Sequence, residues 1–288
     1  MISKEELYEL YVEKEMSTVE IGKMIGVDSK TVWSWLRKYG IKTRSIKEAA
    51  KINMRKRMKR KMENINLDDE LFGLIDGLLL GDGSILCSRG RNCYLSITLK
   101  RDNADMLMYV KEKFKEKHIN SYLTWNKGKE FVIKGMKTKR KPTCRLDTQN
   151  LLLFTEQRKR WYNGGKKLVP RDLQLSPLSA ALWYMGDGSL HCREKYKLYA
   201  IYFYTNGFSE EDVRYLSSLL NSKFDLESRV FCDKRKEWMI GIYKQKDVFK
   251  FLKITEKYKV PSFEYKWRAM SDRCWLDKVM CGGGSRNF

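Results

Sequence analysis

Two acidic residues lie at the ends of two similar apolar segments. Asp82 follows LFGLIDGLLL within the sequence GDGSI, and Asp187 follows LSAALWYM within GDGSL, 105 residues further along the chain. An apolar segment of this length has no polar face, so it predicts a buried helix whose obvious partner is its own copy. Because the last turn of a helix leaves carbonyl groups unpaired, two such helices side by side would gather both carboxylates and several carbonyl oxygens.

Such a cluster of oxygen atoms is typical of a site for a hard cation. Carboxylate and carbonyl oxygens are the ligands by which proteins bind magnesium and calcium. The candidate metal ligands are Asp82 and Asp187, together with Gly81 and Gly186 beside them. We therefore expect Mg²⁺ as the cofactor, with Mn²⁺ as a substitute.

Glycines mark one face of the first predicted helix. Gly73, Gly77 and Gly81 follow one another at intervals of four, which places them on the same side of a helix and allows another backbone to come close. The residues at the corresponding offsets of the second segment are Leu178, Leu182 and Gly186. The sequence thus predicts that large side chains pack against small ones between the two helices.

The segments that follow the two acids also correspond to each other. Each acid precedes an alternating strand, an amphipathic helix that ends in KEKF or NSKF, further strand-like segments and a last helix. Each half is therefore predicted to contain a helix, two strands, a helix, two strands and a helix. We expect an α+β fold in which residues 67–170 and 171–288 form two αββαββα halves related by a pseudo-two-fold axis.

Residues 1–45 are predicted to form a small all-α domain of three short helices. Gly26 can take a positive φ in a tight turn, and Asp28 can cap the helix that follows. The segment resembles the helix-turn-helix DNA-binding family in its small residue, turn glycine and core positions, which are Gly22, Gly26, Val27, Val32 and Trp35. The third helix would then present to the major groove Lys30, Thr31, Ser34, Arg37 and Lys38. The alternative is a three-helix packing module that does not contact DNA.

The chain is strongly basic, with 58 Lys and Arg against 36 Asp and Glu and a net charge of +22. This excess is typical of proteins that bind polyanions, and 42% hydrophobic residues exclude a disordered chain. A dense share of the charge falls in residues 42–66, and we expect a basic linker at 46–66 between two DNA-binding bodies. Arg44, Arg55 and Arg57 would contact phosphates without reading sequence. The alternative is a solvated linker that repels itself.

Cysteine and histidine usage limits the possible metal chemistry. The seven cysteines are scattered without CxxC spacing, and only two histidines occur. A disulfide framework, a zinc module and a histidine-metal nuclease are therefore not expected, and the cysteines should be free in a reducing interior.

No segment has the roughly 20 apolar residues of a membrane span, and the start MISKEELYEL is unlike a signal peptide. We expect no membrane partner, and a cytoplasmic, nucleoid-associated protein of a bacterium or phage, or a protein of an organellar matrix.

The repeated element resembles the nine-residue motif of the LAGLIDADG homing endonucleases. Ile75 to Gly83 and Ala180 to Gly188 align with the motif, and the likeness extends over residues 67–270. The second copy is similar to the branch with a WYMDDG-type motif, although Gly186 stands where that branch often has another Asp. The resemblance implies that the two aspartates are the catalytic acids of an enzyme that acts as a monomer.

The resemblance also assigns two lysines. Lys167 in KKLVP and Lys266 in VPSFEYKW occupy equivalent places after the last helix of each half. In the family, lysines at these places line the active site, where they order the attacking water or stabilise charge on the phosphate. Without the resemblance, a single lysine in so basic a chain would be interpreted as a solvated side chain. Asn206 is a weaker candidate near the second acid.

The function implied by the resemblance is metal-assisted hydrolysis of one phosphodiester bond in each strand of double-stranded DNA. The resemblance also implies a long target sequence in which some base changes are tolerated, and staggered ends with short 3′ overhangs. The two sheets would enter the major groove. The candidate DNA-contacting residues on them are Arg89, Arg91, Asn92, Lys100, Trp125, Lys127, Arg145, Arg193, Lys195, Arg229 and Lys234.

Two alternatives on the same fold stay open: a maturase that binds intron RNA, and a DNA-binding regulator that has lost nuclease activity. Both acids of the motif are present in this chain. Carboxylates that face phosphate weaken binding unless a metal neutralises them. The presence of both acids therefore favours cleavage over regulation.

Overall fold

The computed structural model of the protein describes residues 2–88, 92–128, 130–133 and 136–280. The chain divides into two compact units, Met1–Glu63 and Asn64–Phe288. None of the described helices is both long and apolar enough to cross a membrane.

The first unit is helical. Its elements are α1 (Lys4–Tyr8), a π-helical turn (Glu9–Glu13), α2 (Thr18–Ile25), α3 (Ser29–Lys38) and α4 (Ile46–Glu63). Ser17 and Glu20 form a capping box at the start of α2, and the Asp28 side chain caps α3. Gly26 ends α2 with a φ of 76°, in the left-handed conformation that glycine adopts readily. The expected succession of helix, tight turn and helix thus lies at residues 18–38, and its role in DNA binding stays a prediction.

The basic segment expected as a linker is a helix. Its 18 residues contain neither glycine nor proline, and the Ser45 and Glu48 side chains bond to each other's backbone amides at its start. The first predicted helix differs too, because α1 continues into a π-helical turn. Lys56 in α4 forms an ion pair with Glu20 at 3.2 Å, and Arg55 pairs with Glu15. These pairs connect α4 to the rest of the first unit.

The second unit contains two halves with a common order of elements. The first half consists of α5 (Asp69–Leu80), β1 (Ser84–Ser88), β2 (Asn92–Lys100), α6 (Ala104–Glu116), β3 (Ser121–Asn126), β4 (Glu130–Ile133), β5 (Met136–Lys139), β6 (Thr143–Thr148), α7 (Leu152–Trp161), β7 (Tyr162–Asn163) and β8 (Lys166–Lys167). The second half consists of α8 (Pro177–Asp187), β9 (Gly188–Arg193), β10 (Leu198–Tyr204), α9 (Glu210–Phe224), β11 (Ser228–Cys232), β12 (Trp238–Ile242), α10 (Gln245–Thr255), a 3₁₀ segment (Pro261–Ser271) and α11 (Arg273–Met280).

Each half builds one four-stranded antiparallel sheet. The strand order is β1-β2-β6-β3 in the first sheet and β9-β10-β12-β11 in the second. The β4–β5 hairpin is an insertion between β3 and β6, and without it the two orders are the same. The prediction of an α+β fold with two αββαββα halves is therefore confirmed, with the additional hairpins β4–β5 and β7–β8 in the first half.

Successive residues of each strand alternate between a buried and an open face of the sheet. In β6, Cys144 and Leu146 are buried, whereas Arg145 between them is half-buried on the opposite side. The buried face of the second sheet contains Phe203, whose ring lies 4.2 Å from that of Trp183 in α8. The helices α5 and α8 therefore belong to the hydrophobic core, and the open faces are left for contacts with other molecules.

One pair of cysteines differs from the expectation of free thiols. Cys87 in β1 and Cys93 in β2 lie directly opposite each other and form a disulfide. The backbone groups of Cys93 bond to Leu151 and Thr155 instead of Cys87, so the two cysteines form a close, non-hydrogen-bonded pair with a Cα–Cα distance of 3.9 Å. The pairing depends on the register of a hairpin, which cysteine spacing alone does not define. The other described cysteines are free.

Candidate active site and nucleic-acid interface

The helices α5 and α8 pack against each other through the glycines of α5. A Cβ atom placed on Gly77 would lie 2.6 Å from the Cα of Ser179, and one placed on Gly73 would lie 2.8 Å from the Oγ of Ser176. Small residues therefore face small residues, and the prediction that leucines of α8 lie opposite these glycines was wrong. The reason is the register, because the capping Ser176 and the Ser179 of its first turn fall on the contact face of α8.

Both acids lie where this helix pair ends. Asp187 is the last residue of α8, and Asp82 follows α5 by two positions. A Cβ atom on Gly186 would lie 3.2 Å from the Cα of Gly81 and 3.6 Å from the Oδ2 of Asp82, so the two helix ends nearly touch. Asp82 is exposed and Asp187 is half-buried. Neither carboxylate accepts a hydrogen bond from a described residue.

The electrostatic environment disfavours two bare negative charges at this place. Although Asp82 is accessible to solvent, the protein atoms around its carboxyl partly desolvate it and raise its pKa above the usual value. Burial also raises the pKa of Asp187 to about 6, and the negative charge of Asp82 adds to this rise. The positive charges of Lys167 and Lys266 act in the opposite direction on both acids. A pair of carboxylates without hydrogen-bond donors is an arrangement that a cation would stabilise.

Lys167 lies in β8, at the end of α5. Its Nζ donates hydrogen bonds to the carbonyl oxygens of Gly83 at 2.9 Å and Gly81 at 3.4 Å. Burial lowers the pKa of Lys167 to about 8, while Asp187 and Asp82 oppose this fall. A cation is favoured at this position because the C-terminal end of a helix carries partial negative charge.

Lys266 occupies the equivalent position at the end of α8. Its side chain is only 4% exposed, and its Nζ donates to the carbonyl oxygens of Tyr184, Met185 and Gly188 at 2.9, 2.7 and 2.7 Å. Burial lowers its pKa to about 8, and the acids again oppose the fall. These bonds use all three hydrogens of the ammonium group, so Lys266 has none left to donate to the acids. It therefore acts on the acids through its positive charge.

The segment that carries Lys266 is held from two sides. The Tyr184 hydroxyl donates to the carbonyl oxygen of Lys266 at 2.9 Å. Asp105 in α6 accepts hydrogen bonds from the Ser262 amide at 2.8 Å and from the Ser262 hydroxyl at 2.5 Å. A helix of the first half therefore anchors a lysine of the second half. Sequence reasoning missed both contacts, because neither follows from a local pattern.

The donor set at the helix ends fits a divalent cation. It contains the two carboxylates and the terminal carbonyl groups, which are the hard oxygen ligands that magnesium prefers. Of the predicted carbonyl ligands, that of Gly81 also accepts the longer bond from Lys167. In the described part of the chain, this site included, no group of three or more His, Cys, Asp or Glu side chains could hold a metal ion, so the candidate site offers only two acidic side chains. Asn206 is exposed in the turn after β10.

The open face of the first sheet is polar. Thr98 pairs with Arg145, and Lys100 pairs with Thr143, across β2 and β6. Arg145 forms an ion pair of 2.6 Å with Asp147 on the same face. The neighbouring strand β3 adds exposed residues that sequence reasoning did not select, which are Tyr122, Thr124 and Asn126. Arg145 and Lys100 thus lie on the open face of the first sheet, and their contact with DNA stays a prediction.

Trp125 lies on the other side of this sheet. It pairs with the buried Cys144, so the alternation of β3 directs it toward the helix-covered face, and the guanidinium of Arg101 lies 5.6 Å from its ring centroid. Its side chain is 48% exposed because it stands near the end of the strand. Trp125 therefore does not share the face of Arg145, and its contact with DNA stays a prediction. Lys127 is exposed just after β3.

The open face of the second sheet has a different character. Tyr202 lies at its centre, with the rings of His191, Phe231 and Tyr243 within 4.8, 5.8 and 5.7 Å. The predicted basic residues of this half are exposed, with Arg193 in β9, Lys195 after it, Arg229 in β11 and Lys234 after that strand. The two sheets therefore offer chemically different surfaces. Arg89, Arg91 and the side chain of Asn92 lie outside the described residues.

The predicted recognition helix α3 is accessible in the first unit. Lys30, Ser34, Arg37 and Lys38 are exposed, and Thr31 is half-buried. The exposed Trp33 was not selected from the sequence, although the Arg37 guanidinium lies 4.9 Å from its ring centroid.

Two of the three arginines predicted to contact phosphates are engaged within the first unit. Arg44 donates to the carbonyl oxygens of Tyr11, Glu15 and Met16, which commits its guanidinium to the fold. Arg55 forms an ion pair with Glu15. Arg57 is exposed and stays available for an external partner.

The second unit contains two apolar helices, each of which leads to an acid and then to a four-stranded antiparallel sheet. This arrangement defines a two-motif protein of the LAGLIDADG class. The model of the LAGLIDADG DNA endonuclease family matches residues 72–249, which is more than half of the chain. The chain therefore belongs to the LAGLIDADG DNA endonuclease family.

Relatives and solved structures resemble the chain over most of its length. The uncharacterized protein MJ1098 of Methanocaldococcus jannaschii is 30% identical over 273 residues, which cover 94% of this chain and 98% of that protein. The cytochrome b mRNA maturase bI2 of Saccharomyces cerevisiae is 28% identical over 227 residues, 75% of this chain and 52% of the maturase. The structure of the homing endonuclease I-WcaI bound to its DNA recognition sequence is 25% identical, with a TM-score of 0.60 over 73% of this chain and 91% of that chain.

Proposed function

We propose that the protein is a site-specific endonuclease that hydrolyses one phosphodiester bond in each strand of double-stranded DNA with the help of a divalent metal ion. The observation that carries the proposal is the meeting of Asp82 and Asp187 at the ends of two packed helices, each within two residues of the first strand of a sheet. Because one chain contains both acids and both sheets, it would act as a monomer. The DNA-bound relative I-WcaI supports a DNA partner.

The residues at the helix ends have distinct roles in this proposal. Asp82 and Asp187 would hold Mg²⁺ or Mn²⁺, with the carbonyl groups of Gly81 and Gly186 beside them. When bound, the ion would activate water and stabilise negative charge on the leaving oxygen. Lys167 has a hydrogen left after its two bonds to described residues and would donate it to a phosphate oxygen. Lys266 would keep the acids ionised through its positive charge.

The test of this proposal is selection of cleaved sites from a random DNA library with the full-length protein. We expect double-strand breaks at one long consensus site in the presence of Mg²⁺ or Mn²⁺. We expect no breaks after chelation with EDTA, because the ion would supply the activation of water and the stabilisation of the leaving oxygen. Sequencing of the released ends measures the result. Cleavage that persists at full rate in EDTA would contradict the metal site.

A second function is favoured by the relationship to the cytochrome b mRNA maturase. On this alternative, intron RNA is the partner, and the acids are dispensable because RNA binding needs no cleavage. Splicing of a host intron in the presence of the protein would support it. A DNA-binding regulator would bind a site tightly in Mg²⁺ and leave both strands intact.

The basic helix α4 is predicted to bind phosphates without reading bases. Replacing the exposed Lys47, Lys51 and Arg57 by Gln should lower the slope of log affinity against log salt by about 0.9 for each phosphate that the helix no longer neutralises. Fluorescence anisotropy at a series of salt concentrations measures this slope. Lys14→Gln is the control, since Lys14 is an exposed lysine of the same unit that pairs with Glu9. An unchanged slope in the triple variant would remove α4 from the interface.

A further inference from the structure

Asp76 is a carboxylate inside the apolar helix α5, and the mechanism proposed above does not use it. Its side chain is only 1% exposed. The position 105 residues later in α8 is Ala181, which is fully buried as well. The acid therefore belongs to the first half alone, although both halves contain the helix.

The carboxylate of Asp76 anchors the end of α7. Its Oδ1 accepts hydrogen bonds from Arg160 Nη1 at 2.6 Å and from Trp161 Nε1 at 3.0 Å, and its Oδ2 accepts one from Arg160 Nη2 at 3.1 Å. Arg160 also pairs with Asp172, whose side chain is largely exposed. Removing one partner of a buried ion pair leaves the other without compensation, so loss of Asp76 would release the end of α7.

The end of α7 leads directly to Lys167. Trp161 is the last residue of this helix, and the hairpin β7–β8 begins at Tyr162, which pairs with Lys167. The carbonyl oxygen of Trp161 accepts a hydrogen bond from the Leu168 amide at 2.9 Å. The Nζ of Lys167 then reaches the carbonyl oxygen of Gly83, just beyond α5. The contacts thus run from α5 through Trp161 and the hairpin back to the end of α5.

The second half positions its lysine differently. Lys266 is held through the Tyr184 hydroxyl and through the contact of Ser262 with Asp105. None of these contacts involves Asp76 or the hairpin. A change at Asp76 should therefore affect one of the two lysines and spare the other.

We propose that Asp76 is a positioning residue for Lys167, which it holds at the end of α5 through Trp161 and the β7–β8 hairpin. This inference rests on the proposed function where it concerns cleavage, but the position of the hairpin can be measured without DNA.

The first experiment is amide hydrogen exchange of the full-length protein, with Asp76→Asn as the test variant. Exchange in the peptide covering residues 162–168 should become about tenfold faster, because removal of its anchor favours local opening, while the peptide covering residues 261–270 should exchange as in the wild type. Asp172→Asn is the matched control, since it removes the exposed partner of Arg160 and leaves the bonds to Asp76 intact. If Asp76→Asn does not fold, Arg160→Lys keeps the positive charge but cannot form the forked pair of bonds.

Two results of this experiment would overturn the inference. One is unchanged exchange at residues 162–168. The other is equal acceleration of both peptides, which would indicate a general loss of stability. Neither result depends on cleavage. A wild-type protein that cuts no DNA would therefore refute the proposed function, while hydrogen exchange would still decide whether Asp76 positions the hairpin.

The second experiment follows cleavage of the selected site. Asp76→Asn should lower the rate of cutting at saturating protein without weakening DNA binding, and should accumulate nicked product because one strand is affected more than the other. In the background of Lys167→Met, Asp76→Asn should cause no further loss, since both changes act through the same side chain. A further loss equal to that in the wild-type background would contradict the positioning role.

Discussion

Replacing Asp82 or Asp187 by Asn should abolish DNA cleavage and preserve DNA binding. We expect the cleavage rate to fall at least about 1,000-fold, because each change removes a ligand of the ion that activates water and stabilises the leaving group. Binding should be unchanged or tighter, since a negative charge beside the phosphates is removed. Folding should not suffer, because burial and mutual repulsion already disfavour the ionised acids. Plasmid cleavage and a gel-shift titration measure the two properties.

Asp69→Asn is the matched control for these variants. Asp69 is an exposed acid in the first turn of α5, the same helix whose other end leads to Asp82. We expect full cleavage from Asp69→Asn. Full cleavage by both Asp82→Asn and Asp187→Asn would show that the acids at the helix ends are not the catalytic ones.

Replacing Gly77 by Ala should cause a large loss of stability. The added Cβ would lie 2.6 Å from the Cα and 2.7 Å from the carbonyl oxygen of Ser179, and backbone atoms in a packed helix cannot move aside as a side chain can. We expect the free energy of unfolding to fall by about 3 kcal/mol, the upper end of the usual cost of overpacking. Urea unfolding followed by circular dichroism measures the change.

The other two glycines of the same face provide a graded comparison. At Gly73 the added Cβ would approach the Ser176 hydroxyl oxygen at 2.8 Å, and this side chain can rotate away. At Gly81 the nearest atom would be the Gly186 Cα at 3.5 Å, an ordinary contact. The loss of stability should therefore decrease from Gly77→Ala to Gly73→Ala to Gly81→Ala. Equal losses at all three positions would contradict the helix packing described above.

The architecture of the second unit could be predicted because it is repeated. Two apolar segments that end in Gly-Asp-Gly, followed by similar strands and helices, determine the number of halves and the order of their elements. The same pattern placed Asp82 and Asp187 together, whereas Lys167 and Lys266 were assigned by the resemblance to the family. Local patterns of this kind remain visible without knowledge of tertiary contacts.

Features that depend on register or on distant contacts could not be predicted. A shift of two or three residues along α8 brings Ser176 and Ser179 to the glycines of α5. The side of the sheet on which Trp125 lies follows from its pairing with Cys144. The disulfide between Cys87 and Cys93 requires the pairing of β1 with β2. In each case the deciding partner is on another element.

Asp76 gave a sequence signal that was overlooked. A carboxylate within LFGLIDGLLL cannot remain buried alone, so it predicts a positively charged or hydrogen-bonding partner from elsewhere in the chain. That partner is the pair Arg160 and Trp161 at the end of α7. An acid inside an otherwise apolar repeat, matched by Ala181 in the other copy, is therefore a marker of asymmetry between the halves.

The most direct test of the proposed activity is to map the cuts on both strands of the selected DNA site at nucleotide resolution. The wild-type protein should make one cut in each strand, in staggered positions that leave short 3′ overhangs, and only with Mg²⁺ or Mn²⁺ present. Tight binding of the same site with both strands intact in either ion would contradict the central claim that the two acids form a DNA-cleaving centre.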